Sequence, residues 1–451
     1  MSTEAQDYAQ TLGAEDSIWF KISPFVNADD PMGILKRVCA KGGGCIPLSF
    51  RGDKIFFLSE IEHLRHVLVS NVDNYHKYFE GLKPIFGEAM ITIDGALWQK
   101  VRRPQQQYFH PAVYADYMPF FMTAVRNRME AWSKFAASGE TVDMLEQTWT
   151  LAADMVCRAL FDREVPFNPH AVFSAVKAYT DVSEHKAIRN KKTGTGTVSE
   201  GAAPAQAISA WLTLPEAVIA AMPWQNRDKT LLKMMQAAAA DAPATGWSHQ
   251  QVLDEIKQYL WAGTETTALT LGWAFYLLSK HPEAAERIRK EGMDVYGSKE
   301  PDANDVENLT YTRSVIFETL RLYPPAWAFI RIAAAKDMIG GHEIKPGDKI
   351  VMLPYLVHHS EKYWEAPEEF RPERFDAGKE KSRVKYSYLP FGAGKRFCVG
   401  GQMAQMEATL ALSQLVRRFR AEYARPTPPQ IAASVTLLPK GGLPFRLHAL
   451  S

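Results

Sequence analysis

The 451-residue chain has only four cysteines, Cys39, Cys45, Cys157 and Cys398. Four thiols in a chain this long exclude a disulfide framework, and no CxxC or Cys/His zinc spacing is present. Charge of one sign is also missing: 52 Lys+Arg stand against 51 Asp+Glu, a net charge of +1, which gives no reason to expect nucleic acid as a partner. Residues 1–25 lack the apolar core of a signal peptide and the long apolar run of a membrane anchor, with Glu4, Asp7, Glu15, Asp16 and Lys21 interrupting them. These absences describe a cytoplasmic chain with no membrane anchor. What is abundant is apolar residue, 46% of the total, enough to bury a sizeable core.

The pattern is mainly helical, with a smaller β-rich portion, an α+β class. Two short apolar runs around Arg51-Gly52-Asp53-Lys54 predict a β-hairpin over 45–58. Ile61, Leu64, Val67 and Leu68 then share a helical face, and helical spacing dominates from about Pro111 to Val416. Further strands are expected at 331–355 and 430–448, so the β-rich portion draws on about 40–60 and both later stretches. Residues 190–206, rich in Gly, Thr and Ala, read as a mobile loop inside the helical part. The longest helix should start at Ser248, with Gln251 completing a capping box and Trp247 acting as a hydrophobic staple. It runs without proline for about 33 residues, or about 50 Å.

Chemistry concentrates around one cysteine. Phe391-Gly-Ala-Gly394-Lys-Arg396-Phe-Cys398-Val-Gly400 fits FxxGxRxCxG at every fixed position, and Ala404 follows six residues after the cysteine. The loop leads into a helical run, Gln402 to Arg417. Free N–H groups and the dipole at a helix N-terminus should depress the thiol pKa and favour the metal-binding thiolate. They can also hydrogen-bond the sulfur. Gly394 permits a tight turn, and Gly400 lets backbone approach a flat macrocycle. Arg396 is a permanent cation suited to a propionate, and Phe391 can shield the sulfur from water.

This segment resembles the haem-binding signature of the cytochromes P-450, and further motifs in the family's order extend the resemblance over most of the chain. Glu318-Thr-Leu-Arg321 looks like the ExxR pair, and Phe370-Arg-Pro372-Glu373-Arg374-Phe375 resembles the motif whose arginine joins that pair. The resemblance gives Glu318, Arg321 and Arg374 a structural role beneath the haem. Trp98-Gln-Lys-Val-Arg102 matches WxxxR, which with Arg331 implies contacts to the haem propionates. On the long helix, Ala262-Gly263-Thr264-Glu265-Thr266-Thr267 is similar to the oxygen-side groove. Ala262 and Gly263 would give space for a distal ligand. Thr266 can bond back to the Ala262 carbonyl and bend the helix. Glu265 beside Thr266 looks like the acid–alcohol pair that delivers protons.

What the resemblance implies is one haem domain over residues 1–451 that binds haem b, with Cys398 as axial ligand. The activity implied is a soluble, monomeric monooxygenase that places one atom of O2 into an apolar organic substrate. By position, Phe86, Met90, Ile91, Thr267, Ala326, Trp327, Phe329, Ser434 and Val435 (within Ala433–Val435) resemble substrate-facing residues, and the 190–206 loop resembles the family's lid. The chain leaves no room for a reductase, so electrons are expected from a separate ferredoxin or flavodoxin with its reductase. Lys100, Arg102, Arg103, Lys395, Arg417, Arg418 and Arg420 would form the docking patch. Alternatives are a haem-thiolate gas or redox sensor, and a peroxygenase or isomerase relative.

Overall fold

The computed structural model describes residues 30–40, 43–50, 53–78, 82–166, 168, 213–223 and 225–450. The acidic start of the chain and the 190–206 loop lie outside the described residues.

The long helix forms over His249–Lys280, and the Ser248 hydroxyl accepts the Gln251 N–H at 3.0 Å. The reciprocal half of the expected capping box does not form. The Gln251 amide instead donates to the Glu88 carbonyl and, at 3.4 Å, to Glu255, since tertiary acceptors are in reach. Trp247 is buried at the helix start. From Ala268 to Leu278 every residue is buried, as expected for a helix covered on all sides. It packs against Met144–Val156, Leu231–Ala240, Thr310–Leu322 and Gly401–Arg418. Its close approach to Met144–Val156 needs glycine: a Cβ at Gly272 would meet Leu145 at 2.7 Å, and one at Gly263 would meet Val156 at 2.9 Å.

The hairpin expected at 45–58 is present, with Cys45–Phe50 antiparallel to Asp53–Leu58. It continues through Lys349–Met352, which is parallel to Asp53–Leu58, then antiparallel through Phe329–Ala333 and Tyr75–Lys77, making five strands. A second sheet joins Thr141–Asp143, Pro444–Ala449 and Phe419–Tyr423. The strands Tyr75–Lys77, Thr141–Asp143 and Phe419–Tyr423 lie outside the expected β regions. Two are three residues long, too short to show an alternating pattern of their own. The π-turn His66–Ser70 extends the short helix Ile61–Arg65 across most of the predicted helical stretch. Among the described residues, no helix is long and apolar enough to cross a membrane.

Candidate active site

The Cys398 loop is held from behind before it can present its sulfur. Arg321 and Glu318, one turn apart on Thr310–Leu322, pair by Nε–Oε2 at 2.7 Å and Nη2–Oε1 at 2.8 Å. The guanidinium also donates to the carbonyls of His358, Pro367 and Glu369 at 2.8, 2.6 and 3.1 Å. Glu318 further accepts the Arg371 N–H at 2.9 Å and Arg374 Nε at 3.3 Å, while Arg374 Nη2 donates to the Ala366 carbonyl at 2.8 Å. The three residues expected as a structural network thus meet. His358, which the sequence did not single out, extends it: its Nε2 accepts the Leu389 N–H at 2.8 Å, two residues before Phe391.

At the loop itself Gly394 has φ +68°, and a Cβ there would lie 2.2 Å from the Leu68 carbonyl oxygen. The Cys398 N–H donates to Phe391 O at 3.0 Å, and its sulfur accepts N–H bonds from Gly400 and Gly401, where the helix Gly401–Arg418 begins. The sulfur faces a cavity of about 380 Å³. Enclosure by protein pushes the thiol pKa up, against the two N–H bonds and the charges of Arg102 and Lys77. The depressed thiol expected from the helix N-terminus is therefore not what the protein alone produces. A coordinated cation would supply the remaining stabilisation of thiolate.

Four cations converge on the same cavity: Lys77, Arg102, Arg331 and Arg396. Arg396 bonds Asp94 and lies 3.8 Å over the Trp98 ring, and Arg102 Nη2 donates to Phe397 O at 2.9 Å. Yet Arg102 Nε, Arg331 Nε and Arg396 Nη1 are buried with no hydrogen-bond partner among the described residues. Burial and mutual repulsion with Arg396 bring Arg331 down to about 10, and burial lowers Arg102 and Arg396 too. Burial, with Arg331 and Arg396, also drives Lys77 well below its ordinary value. Although burial works to raise Asp94, the Lys77 and Gly95 amides and Arg396 hold it low. The guanidinium groups of Arg102, Arg331 and Arg396 keep buried N–H donors without a partner among the described residues, which fits an anionic group such as a haem's two propionates. Gly400 adds space on the wall, since a Cβ there would meet only the Phe109 ring, at 3.8 Å. Lys77 was missed because its place follows from pairing with Arg331 across strands far apart in sequence.

On the long helix, Thr266 Oγ1 donates to Ala262 O at 2.6 Å, as expected, and both residues line the cavity with Gly263 and Thr267. Two readings change. The missing side chain at Gly263 is required by contact with Val156, beyond any need for space at the cavity. Glu265 is not on the cavity wall: its carboxylate accepts from Trp261 Nε1 and, at 2.9 Å, from the Thr436 hydroxyl. Adjacent helix residues point about 100° apart: Thr266 and Thr267 fall on the cavity side of the helix, and Glu265 turns away from it toward Thr436. Among the described residues, the carboxyl that lines the cavity is Glu407. Its Oε1 accepts from Thr267 at 2.8 Å, and its Oε2 is buried without a partner among the described residues. Burial pushes it up to about 8.

Trp98, Phe391 and Ala404 line the cavity, as do Met90, Ile91, Ala326, Phe329 and Val435. Phe86, Trp327 and Ser434 do not. Phe86 packs on Trp261 with centroids 4.7 Å apart, and Trp327 is buried core whose Nε1 donates to Ser434 O at 2.7 Å. The expected basic patch also divides. Lys100, Arg103 and Lys395 are exposed, Lys395 in the cysteine loop and paired with Asp73, and Lys100 with its amine beside Gly246, whereas Arg102 faces the cavity. Arg417 and Arg418 end an 18-residue helix, about 25 Å from its cysteine end, and Arg420 follows them.

With this geometry in hand, similarity to known proteins is informative. A family profile described as Cytochrome P450 matches residues 214–444. Cyclooctatin synthase of Streptomyces melanosporofaciens is 32% identical over 77% of this chain and 75% of its own. The chloroplastic protein LUTEIN DEFICIENT 5 of Arabidopsis thaliana is 28% identical over 86% and 69%. Cyclooctat-9-en-7-ol 5-monooxygenase of Streptomyces melanosporofaciens is 36% identical over 44% of this chain and 42% of its own.

Proposed function

This chain belongs to the cytochrome P450 family and is a haem b-dependent, haem-thiolate monooxygenase, and from that premise we propose that Cys398 is its axial iron ligand and an apolar compound its substrate. The observation that carries the site is the Cys398 sulfur, held by two backbone N–H groups and facing a cavity rimmed by four cations. Haem bound there supplies reductive activation of O2 and transfer of one oxygen atom to the substrate.

The remaining work falls to side chains. Gly400 and Gly401 N–H groups temper the sulfur's electron donation. Lys77, Arg102, Arg331 and Arg396 hold the propionates, with Trp98 under Arg396. Phe391, Ala262, Gly263, Gly400 and Ala404 form walls. Thr266 presents a hydroxyl to the cavity, and Glu407, through Thr267, is the acid on its wall. Glu265 anchors Thr436 next to the substrate-facing Val435. Glu318, Arg321 and Arg374 keep the cysteine loop in place.

Met90, Ile91, Ala326, Phe329 and Val435 supply an apolar substrate wall. A relative named for oxidising cyclooctat-9-en-7-ol supports an apolar ring compound as a first class to screen. We read residues 1–451 as one haem domain of a soluble, cytoplasmic monomer, reduced by a separate acidic ferredoxin or flavodoxin that docks at Lys100, Arg103 and Lys395. Substitution of Cys398 by His tests the core of this reading: the ferrous–CO band should leave the thiolate position, and its retention there refutes the assignment. Reversing charge at Lys100 and Arg103 should flatten the salt dependence of reduction.

A further inference from the structure

The cavity wall at Met90 and Ile91 belongs to no regular element, so the backbone N–H groups of Glu88, Met90 and Ile91 need outside partners. They find them on one face of the long helix. Asp254 Oδ2 accepts the Glu88 N–H at 2.9 Å, Glu255 Oε1 the Met90 N–H at 2.6 Å, and Gln258 Oε1 the Ile91 N–H. Gln251 returns a bond to the Glu88 carbonyl. Positions 251, 254, 255 and 258 are the i, i+3, i+4, i+7 set that shares a face.

Glu255 is the centre of this arrangement and is wholly shielded from solvent. Besides Met90 N–H, its carboxylate accepts Gln105 Nε2 at 3.1 Å, Gln258 Nε2 at 2.9 Å and Gln251 Nε2 at 3.4 Å. Every one of these partners is a donor and none is a cation. Asp254, the charge that acts on it, is itself paired with Lys257 at 2.8 Å. Burying an unpaired carboxylate is costly, and burial pushes Glu255 up to about 7. A carboxylate offers what an amide does not, two oxygens that each take two N–H bonds. Gln105 carries the contact onward: its Oε1 accepts the Tyr259 hydroxyl at 2.6 Å, and Tyr259, stacked on Phe109, lines the cavity. Gln105 also ends the helix that bears Trp98 and Arg102.

We propose that Glu255 is a positioning residue that fixes the Met90–Ile91 edge against the cavity, and thereby sets the size and placement of the substrates the enzyme takes. Glu255 does not itself line the cavity; it acts through Met90, Gln258 and Gln105. The proposal rests on the reading of this cavity as haem and substrate site.

Two probes separate the edge from the iron: imidazole, small enough to reach iron without touching it, and clotrimazole, whose aromatic arms must. In the haem-loaded enzyme, Glu255→Ala should weaken clotrimazole at least tenfold by Soret shift and leave imidazole within twofold. Amide hydrogen exchange across residues 88–93 should accelerate at least tenfold, with the ferrous–CO band unmoved. Gln258→Ala, which frees the Ile91 N–H and removes one donor to Glu255, should show the same selectivity at smaller size. It decides the matter if Glu255→Ala does not load haem. Unchanged exchange, or faster exchange with the clotrimazole-to-imidazole ratio preserved, overturns the proposal. Absence of an azole-induced Soret shift in the unmodified enzyme would instead overturn the haem-site reading.

Discussion

Arg321 and Glu318 face each other through two parallel hydrogen bonds of 2.7 and 2.8 Å, with both side chains fully buried. The guanidinium also closes three carbonyls, so its charge is satisfied on every edge.

Glu318→Ala should therefore leave a buried arginine without its counter-charge, at a cost of about 3–5 kcal/mol. Arg321→Lys should not restore stability, because a lysine lacks the planar fork that binds carboxylate and carbonyls together. Denaturation midpoints and haem content of the purified protein read the outcome. Full haem loading of Glu318→Ala would remove this pair from its structural role.

Lys77 tests the propionate assignment at the one cation the sequence did not reveal. Lys77→Met keeps the length and removes the charge. Haem transfer from the variant to apomyoglobin should be several-fold faster than from the unmodified enzyme, and Lys77→Arg should recover part of the loss. Equal transfer rates would mean that Lys77 holds no propionate.

Gly263 can be tested against its neighbour. Gly263→Ala places a Cβ 2.9 Å from Val156 Cγ2, an overpacking worth about 1–3 kcal/mol. Val156→Ala in the same chain should return part of that stability, whereas independent sites would add their losses. Thermal midpoints of the two single variants and the double variant complete the cycle.

Glu407 gives a pH dependence of definite sign. Its native value of about 8 lies above its ordinary 4.5, so between those values the folded chain holds a proton that the unfolded chain has lost. Its contribution to stability is thus greatest at low pH and declines as pH rises from about 4.5 through 8. Glu407→Gln keeps the acceptor for Thr267 and removes the ionisation. The variant should gain on the unmodified enzyme as pH rises, by about 2–4 kcal/mol at pH 8.5. A difference in midpoint that stays constant from pH 5.5 to 8.5 contradicts this.

The sequence by itself determined the features whose residues lie close along the chain. Phe391 to Gly400 could be read because a turn and a helix start need particular residues at fixed spacing. Glu318 and Arg321 could be read because one helical turn brings i and i+3 together. The Ser248 start and the Thr266–Ala262 bond are equally local. Tertiary structure alone decided which way each helix turns its faces. It set Glu265 toward Thr436 and Glu407 toward Thr267, it sent Trp327 into the core, and it brought Lys77 beside Arg331 by strand pairing. Nor does spacing along the helix identify the backbone that Glu255 grips. Periodicity fixes the angles between side chains on one element; the rotation of that element against its neighbours is set by packing among residues distant in sequence.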